Sequence, residues 1–312
     1  MKYLVTGGAG FIGSHLVEAI VANGDQARVL DNFSTGKRSN IALGVPDVDV
    51  VEGDIRDRAV VRQAMQGVER VCHLAALVSV PESIAHPDIC FEINAMGTQI
   101  VLDEARKAGV QKLVLASSAA IYGDNTNLPL AESEPPSPLS PYGLDKLYAE
   151  QLGGVYQQLY GIEVMALRFF NVFGPRQDPG SPYSGVISIF MEKMLAGKPV
   201  QVFGDGEQTR DFVYVKDVVA AIQGAFHSNG SSFRVFNVGR GVEVSINKLL
   251  VALSTLFKGE SGAEYKAARG GDIVHSLADI SAIGRAISYT SGYSLEEGLA
   301  ETIEWYVTEQ RW

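Results

Sequence analysis

Six residues into the chain, the apolar stretch Tyr3-Leu4-Val5 runs into Thr6-Gly7-Gly8-Ala9-Gly10-Phe11-Ile12-Gly13, and the next apolar stretch closes on Asp31. A strand that ends on glycines and opens a helix at Phe11 must turn sharply, with backbone N–H groups bare at the helix start. That arrangement binds a pyrophosphate at the positive end of the helix. Gly7, Gly10, Phe11, Ile12 and Gly13 are therefore expected to hold a dinucleotide. Asp31, 18 residues beyond Gly13, can accept both adenosine ribose hydroxyls and would repel a 2′-phosphate, which favours NAD over NADP. Lys37 and Arg38 pull slightly the other way.

The remaining pattern extends this unit into a domain. Apolar, β-branched runs at 2–5, 27–30, 48–51, 70–74, 111–116 and 163–168 alternate with helix-like segments at 11–23, 57–66, 88–108 and 142–160. Continuously apolar strands separated by amphipathic helices predict an α/β, doubly wound parallel sheet covered on both faces. Ligands gather at the carboxyl ends of such strands, where Asp31-Asn32, Asp54-Ile55, Leu74-Ala75-Ala76 and Ser117-Ser118 fall. Beyond about residue 172 the rhythm loosens, with elements expected at 186–196, 200–202, 216–227, 234–238, 245–257 and 294–308. The expected organisation is a nucleotide-binding domain over 1–171, to which later segments return, and a smaller, mainly substrate-binding portion over 172–312.

With 312 residues and 46% hydrophobic content, the chain can bury a sizeable core. A net charge of −10 argues against nucleic-acid binding. No apolar stretch reaches bilayer length, and Met1-Lys2 enters the first strand without a secretory leader, so a cytoplasmic protein is expected. Cys72 and Cys90 have neither metal-ligand spacing nor a disulfide framework, consistent with a reducing compartment.

Ser118 lies just past the fifth apolar run, and Tyr142-Gly-Leu-Asp-Lys146 opens the next helix behind the proline-rich segment 132–138. Tyr142 and Lys146 share a helix face, so the ammonium is expected to lower the phenol pKa, aided by a nicotinamide cation. Ser118 would bridge the hydroxyl of a reacting alcohol, and Tyr142 would act as its general base.

With these motifs together, the chain resembles the extended short-chain dehydrogenase/reductase superfamily, specifically the nucleotide-sugar 4-epimerases related to UDP-galactose 4-epimerase. The resemblance spans nearly the full length. It rests on the glycine motif, Asp31-Asn32, Gly53-Asp54-Ile55-Arg56, His73-Leu-Ala-Ala76, Ser117-Ser118, Tyr142-x-x-x-Lys146, Arg168 to Pro175, Gly204-Asp205-Gly206, Thr209-Arg210-Asp211-Phe212 and Arg269-Gly-Gly-Asp272. It implies that the glycines, Asp31, Asn32, Asp54, Ile55, Leu74, Ala75, Ala76, Ser117, Tyr142, Lys146 and Phe170 contact NAD. It also implies that Asn171, Arg210, Arg269 and Asp272 hold the UDP part of a UDP-sugar. Guanidinium forks suit a diphosphate and supply the positive field an acidic protein otherwise lacks. Arg176, Val78 and Glu82 receive no role.

Dehydrating members of the family place an Asp-Glu pair after the serine, and decarboxylating members a glutamate at the Ala120 position. Ala119 and Ala120 transfer no protons, so redox-neutral C4 epimerisation through a 4-keto sugar is expected, with NAD restored in each turnover. Relatives restricted to glucose and galactose carry tyrosine four residues after the position of Asp272; here it is Ser276. A small residue there implies acceptance of UDP-GlcNAc and UDP-GalNAc besides UDP-Glc and UDP-Gal. The alternatives are a UDP-glucuronate or plain UDP-glucose 4-epimerase, and a catalytically silent NAD-sensing protein on the same fold. Val101, Leu102, Leu152, Val155, Tyr156 and Leu159 suggest helices apolar on more than one face, and the resemblance implies that such helices pair as a four-helix bundle in a homodimer. A polysaccharide or glycan precursor is the expected product.

Overall fold

A computed structural model describes residues 1–42, 48–178, 185–228, 230, 232–257, 262–268 and 273–309. The chain alternates strand and helix from the start. The strands and helices run β1 (Lys2–Thr6), α1 (Phe11–Ala22), β2 (Gln26–Asp31), α2 (Arg38–Ala42), β3 (Asp49–Glu52), α3 (Arg58–Ala64) and β4 (Arg70–His73). Then come α4 (Val80–Ala85), α5 (Pro87–Phe91), a π-helical turn (Glu92–Met96), α6 (Gly97–Lys107), β5 (Lys112–Ser118), α7 (Pro141–Tyr160) and β6 (Glu163–Phe169). The second half runs β7 (Asn171–Phe173), α8 (Val186–Leu195), β8 (Val200–Phe203), β9 (Thr209–Tyr214), α9 (Val215–His227), β10 (Arg234–Val238) and β11 (Glu243–Ser245). It closes with α10 (Ile246–Phe257), β12 (Ala263–Lys266), α11 (Ser281–Ile287) and α12 (Leu295–Glu309).

Seven parallel strands form the main sheet in the order β10-β6-β5-β4-β1-β2-β3. Its strands are apolar on both sides because both sides are covered. Tyr3, Val5, Val114, Met165 and Leu167 face one core with α1 and α9, while Leu4, Leu113, Leu115, Val164 and Ala166 face the other. This is the doubly wound architecture expected from the sequence. β10 comes from the looser half of the chain and pairs with β6. The other strands make a three-stranded sheet, β11-β9-β7, and a β12-β8 pair, packed with α8, α10 and α12 around Phe173, Phe190, Phe212 and Tyr306.

Three local readings change. The expected helix 88–108 is broken by the π-helical turn, which inserts a residue into the ladder. α4, β7, β9, β11, β12 and α11 lie in stretches too short or too polar for periodicity to mark. Val101, Leu102 and Tyr156 face the chain's own sheet and Leu152 packs against the same core, so these four supply no outward face. The outward apolar set is Ile89, Phe91, Met96, Leu144, Val155 and Leu159. Among the described residues, no helix is long and apolar enough to cross a membrane.

Strand order reverses between β1 and β4, which makes the crevice outside their carboxyl ends the natural ligand site.

Candidate active site

The loops after β1 and β4 touch at that crevice. Gly7 has φ +69°, and a Cβ there would lie 2.8 Å from the Ala75 nitrogen. A Cβ on Gly13 would lie 2.2 Å from the Gly7 carbonyl oxygen, so only glycine lets α1 start this close to the turn. Gly10 caps α1 without a side-chain hydrogen bond, leaving the first N–H groups of the helix to a ligand.

Asp31 ends β2 and is buried. It accepts from the Ala9 N–H at 2.9 Å and the Phe33 N–H at 2.8 Å, and the missing side chain of Gly36 keeps space beside its two oxygens. Asp54 is gripped by Arg56 through Nε and Nη2, both at 2.9 Å, and accepts from Asn32 at 3.0 Å; these bonds hold its carboxyl down to about 2. Ile55 packs beneath, against Gly97. The glycine cradle, the bare helix start and a buried acid at the second strand end fit a dinucleotide with a free adenosine ribose.

Leu74 donates its N–H to the Thr6 carbonyl at 3.1 Å, and Ala75 is set by a directed chain of hydrogen bonds. Thr98 donates to the Asn94 carbonyl, so it accepts from His73 Nε2 at 3.0 Å; His73 Nδ1 then accepts from Thr6 Oγ1 at 2.7 Å, which itself accepts the Ala75 N–H at 3.2 Å. Burial pushes His73 down to about 3, so the ring is neutral. The Asn94 amide meets both backbone groups of Leu77, at 2.8 and 2.9 Å.

Tyr142 and Lys146, the candidate catalytic pair, sit on α7, whose start is fixed by two hydroxyls. Ser140 accepts from the Gly143 N–H at 3.1 Å, Pro141 occupies the first turn, and Ser83 of α4 accepts from the Tyr142 N–H at 3.3 Å. Ser118 lies where β5 ends, close enough to the Tyr142 phenol for its hydroxyl to pull that pKa down. Lys146 is 8% exposed, donates to the Ala116 carbonyl at 2.9 Å, and its Nζ lies 5.7 Å from the Tyr142 ring centroid. Ser118, Tyr142 and Lys146 are thus brought together as expected. Their electrostatics differ from expectation. Burial pushes the Tyr142 phenol up rather than down, opposed by Ser118, while burial also pushes Lys146 down to about 8. Desolvation outweighs an ammonium committed to a carbonyl.

Below this pair lies a network to which the sequence reading gave no role. Glu150, one turn beyond Lys146 on α7, accepts the Ser117 hydroxyl and both prongs of Arg168, at 2.9 and 2.8 Å. Arg168 also donates to the Tyr122 hydroxyl at 2.8 Å, which donates to Asn237 at 2.7 Å. Asn237 reaches the Leu130 carbonyl at 2.8 Å. The Ser117 side chain is therefore directed to Glu150, so a contact of Ser117 with a cofactor would fall to its backbone. The i, i+4, i+8 spacing of Tyr142, Lys146 and Glu150 was the available signal.

On the substrate side, Asn171 in β7 pairs with Phe212 in β9, the strand that carries Arg210. Arg210 donates to the Thr209 carbonyl at 2.7 Å. Asp211 accepts from the Arg240, Gly241 and Ala278 N–H groups, tying the segment with Ser276 to β9. Ser276 is 7% exposed, so it is no incidental surface serine. Phe170 packs with Tyr122, Leu130 and Ala278 in an apolar wall. Arg176 takes a left-handed backbone (φ +69°) and pairs with Glu18 of α1. Val78 is exposed and Glu82 lies in the first turn of α4. Arg269 and Asp272 lie outside the described residues.

Residues 3–239 match the NAD dependent epimerase/dehydratase family. The chain belongs to that family. A putative UDP-glucose 4-epimerase of Methanocaldococcus jannaschii is 40% identical over 99% of both chains. A Thermotoga maritima UDP-glucose 4-epimerase, solved with UDP-glucose, is 38% identical with a TM-score of 0.94 over 99% of both chains. A UDP-N-acetylglucosamine 4-epimerase from Methanobrevibacter ruminantium M1, solved in complex with UDP-N-acetylmuramic acid, gives the same identity and TM-score over 99% of this chain and 98% of that one. As a family member the chain uses NAD.

Proposed function

We propose that this epimerase interconverts UDP-GlcNAc and UDP-GalNAc and also turns over UDP-Glc and UDP-Gal. The coarser assignment stands on family and similarity: it is an NAD-dependent UDP-sugar 4-epimerase. Acceptance of N-acetylated sugars is supported by one observation, the small, buried Ser276, at the position where the family resemblance implies tyrosine in relatives restricted to glucose and galactose. A hydroxymethyl side chain is far smaller than a phenol, and a 2-acetamido group needs room when the sugar turns.

NAD would be held by Gly7, Gly10, Phe11, Ile12, Gly13, Asp31, Asn32, Asp54, Ile55 and the 74–76 backbone; when bound, it supplies the acceptor and later the donor of the C4 hydride. Tyr142 takes the 4-hydroxyl proton and returns it to the 4-keto sugar, with Ser118 positioned between phenol and hydroxyl. Lys146 supplies the positive charge that favours phenolate. Asn171, Arg210, Arg269 and Asp272 anchor UDP so that the sugar can expose either face. Ala119 and Ala120 supply no further acid or base after Ser118. We also infer a cytoplasmic homodimer, supported by the outward apolar face of α5–α7 and by two free, buried cysteines.

Incubation with UDP-GlcNAc, UDP-Glc and UDP-GlcA, followed by separation of the 4-epimers, tests the reading. Conversion of UDP-GlcNAc is expected. Turnover of UDP-Glc or UDP-GlcA alone would overturn acceptance of N-acetylated sugars, and NAD binding without any turnover would favour a sensor.

A further inference from the structure

Between Tyr142 and Lys146 on α7 lies Asp145, a residue the mechanism above does not use. It is 5% exposed. Among the described residues its hydrogen-bond donor is the Cys90 thiol of α5, at 3.1 Å, and the same sulfur accepts from the Asn94 amide at 3.3 Å. A thiol is a weak donor, so it offsets only part of the burial that raises the Asp145 carboxyl above its ordinary value, and the charged form leans on a nearby cation. An isolated buried charge is costly unless an opposite charge stands nearby. The opposite charge is the next residue, Lys146, itself buried and donating to the Ala116 carbonyl.

The other groups around Lys146 leave Asp145 as its counter-charge. From β4 comes His73, which burial keeps neutral; from α5 comes Cys90, whose thiol burial pushes up to about 12; from β5 comes the uncharged Ala116 carbonyl. On α7 itself, Tyr142 is a phenol pushed upward, and Glu150 is neutralised by the two prongs of Arg168. The Asn94 that holds the Cys90 sulfur also clasps Leu77, just beyond the cofactor loop. Asp145 is thus fixed from the cofactor side and the catalytic side at once.

We propose that Asp145 is a positioning residue of the reaction, acting through Lys146: lodged against the Cys90 thiol, it supplies the buried negative charge that keeps the neighbouring ammonium protonated beside Tyr142. The inference rests on the Lys146 role given above. That role matters most when the cofactor ring adds positive charge to the cleft, because a second cation nearby favours loss of the lysine proton.

The test pairs Asp145→Asn with the smaller Asp145→Ser and uses two readouts. In the holoenzyme, the alkaline limb of the kcat profile is expected to move down by about one pH unit in both variants. In the cofactor-free protein, a lysine side-chain NMR titration of Lys146 is expected to shift in the same direction by a similar amount. Equal shifts in the two variants support loss of charge. An unmoved titration with only a lowered Tm, or shifts that follow side-chain size, would overturn it in favour of packing. Lys146→Met tells the two readings apart: near-normal turnover would remove the Lys146 role, while the titration still decides whether Asp145 governs the ammonium.

Discussion

Tyr142 and Lys146 lie one helical turn apart, yet in the cofactor-free protein proximity alone does not make the phenol acidic; burial wins. Replacing Tyr142 with Phe removes the proton acceptor and is expected to lower kcat about 10²–10⁴-fold, read by 4-epimer separation. Lys146, at about 8, carries its charge below that pH and loses it above, so turnover should decline as pH rises through 8, measurable in a steady-state pH profile. His73 has the opposite consequence for folding. Its folded pKa, about 3, lies below the unfolded value of 6.5, so the unfolded chain binds a proton the native ring refuses. Stability from this group is complete above 6.5 and lost as pH falls towards 3, on the order of 5 kcal/mol over the full window. Urea unfolding at pH 7, 6 and 5 should show midpoints falling more steeply in the parent than in His73→Gln. At Ser276, Ser276→Tyr should suppress UDP-GlcNAc turnover more than UDP-Glc turnover, by comparison of kcat/KM for each.

At the scale of elements, α7 is held at both ends of its working face. Ser140 and Ser83 satisfy its first N–H groups, and Glu150 pins its second turn beyond Tyr142 to β5 and β6 through Ser117 and Arg168. Removing one partner of a buried pair strands the other. Glu150→Ala should therefore cost about 3–5 kcal/mol, while the double variant Glu150→Leu/Arg168→Met should recover most of that loss; denaturant midpoints of the three proteins check this. The sequence displayed Glu150 at a helical spacing from Lys146, but spacing does not reveal which acids are buried. The π-helical turn was also hidden, because it is held by Asn94 reaching to Leu77, 17 residues away.

For the whole molecule, the main sheet draws strands from both halves of the chain. β10, arriving after α9, completes the sheet beside β6 and brings Asn237 under Tyr122. The exposed apolar face of α5–α7 includes Leu159, 65% exposed. Leu159→Glu is expected to convert a dimer to a monomer in light scattering while leaving the core intact, because the side chain points away from the sheet; an unchanged mass would remove the proposed interface.

The first-half strands, the glycine turn and the Ser118/Tyr142/Lys146 set were legible in the sequence, since continuous apolar runs, helical spacing and the absence of a Cβ are local properties. What the fold alone decided were the facts that depend on which distant groups become neighbours in a dry interior. These include the pairing of β10 with β6 in particular, the diversion of Ser117 to Glu150, the burial of Ser276, and the sign of the Tyr142 shift. Hydrogen-bond partners and desolvation are set by residues tens of positions apart, and no pattern along one segment encodes them.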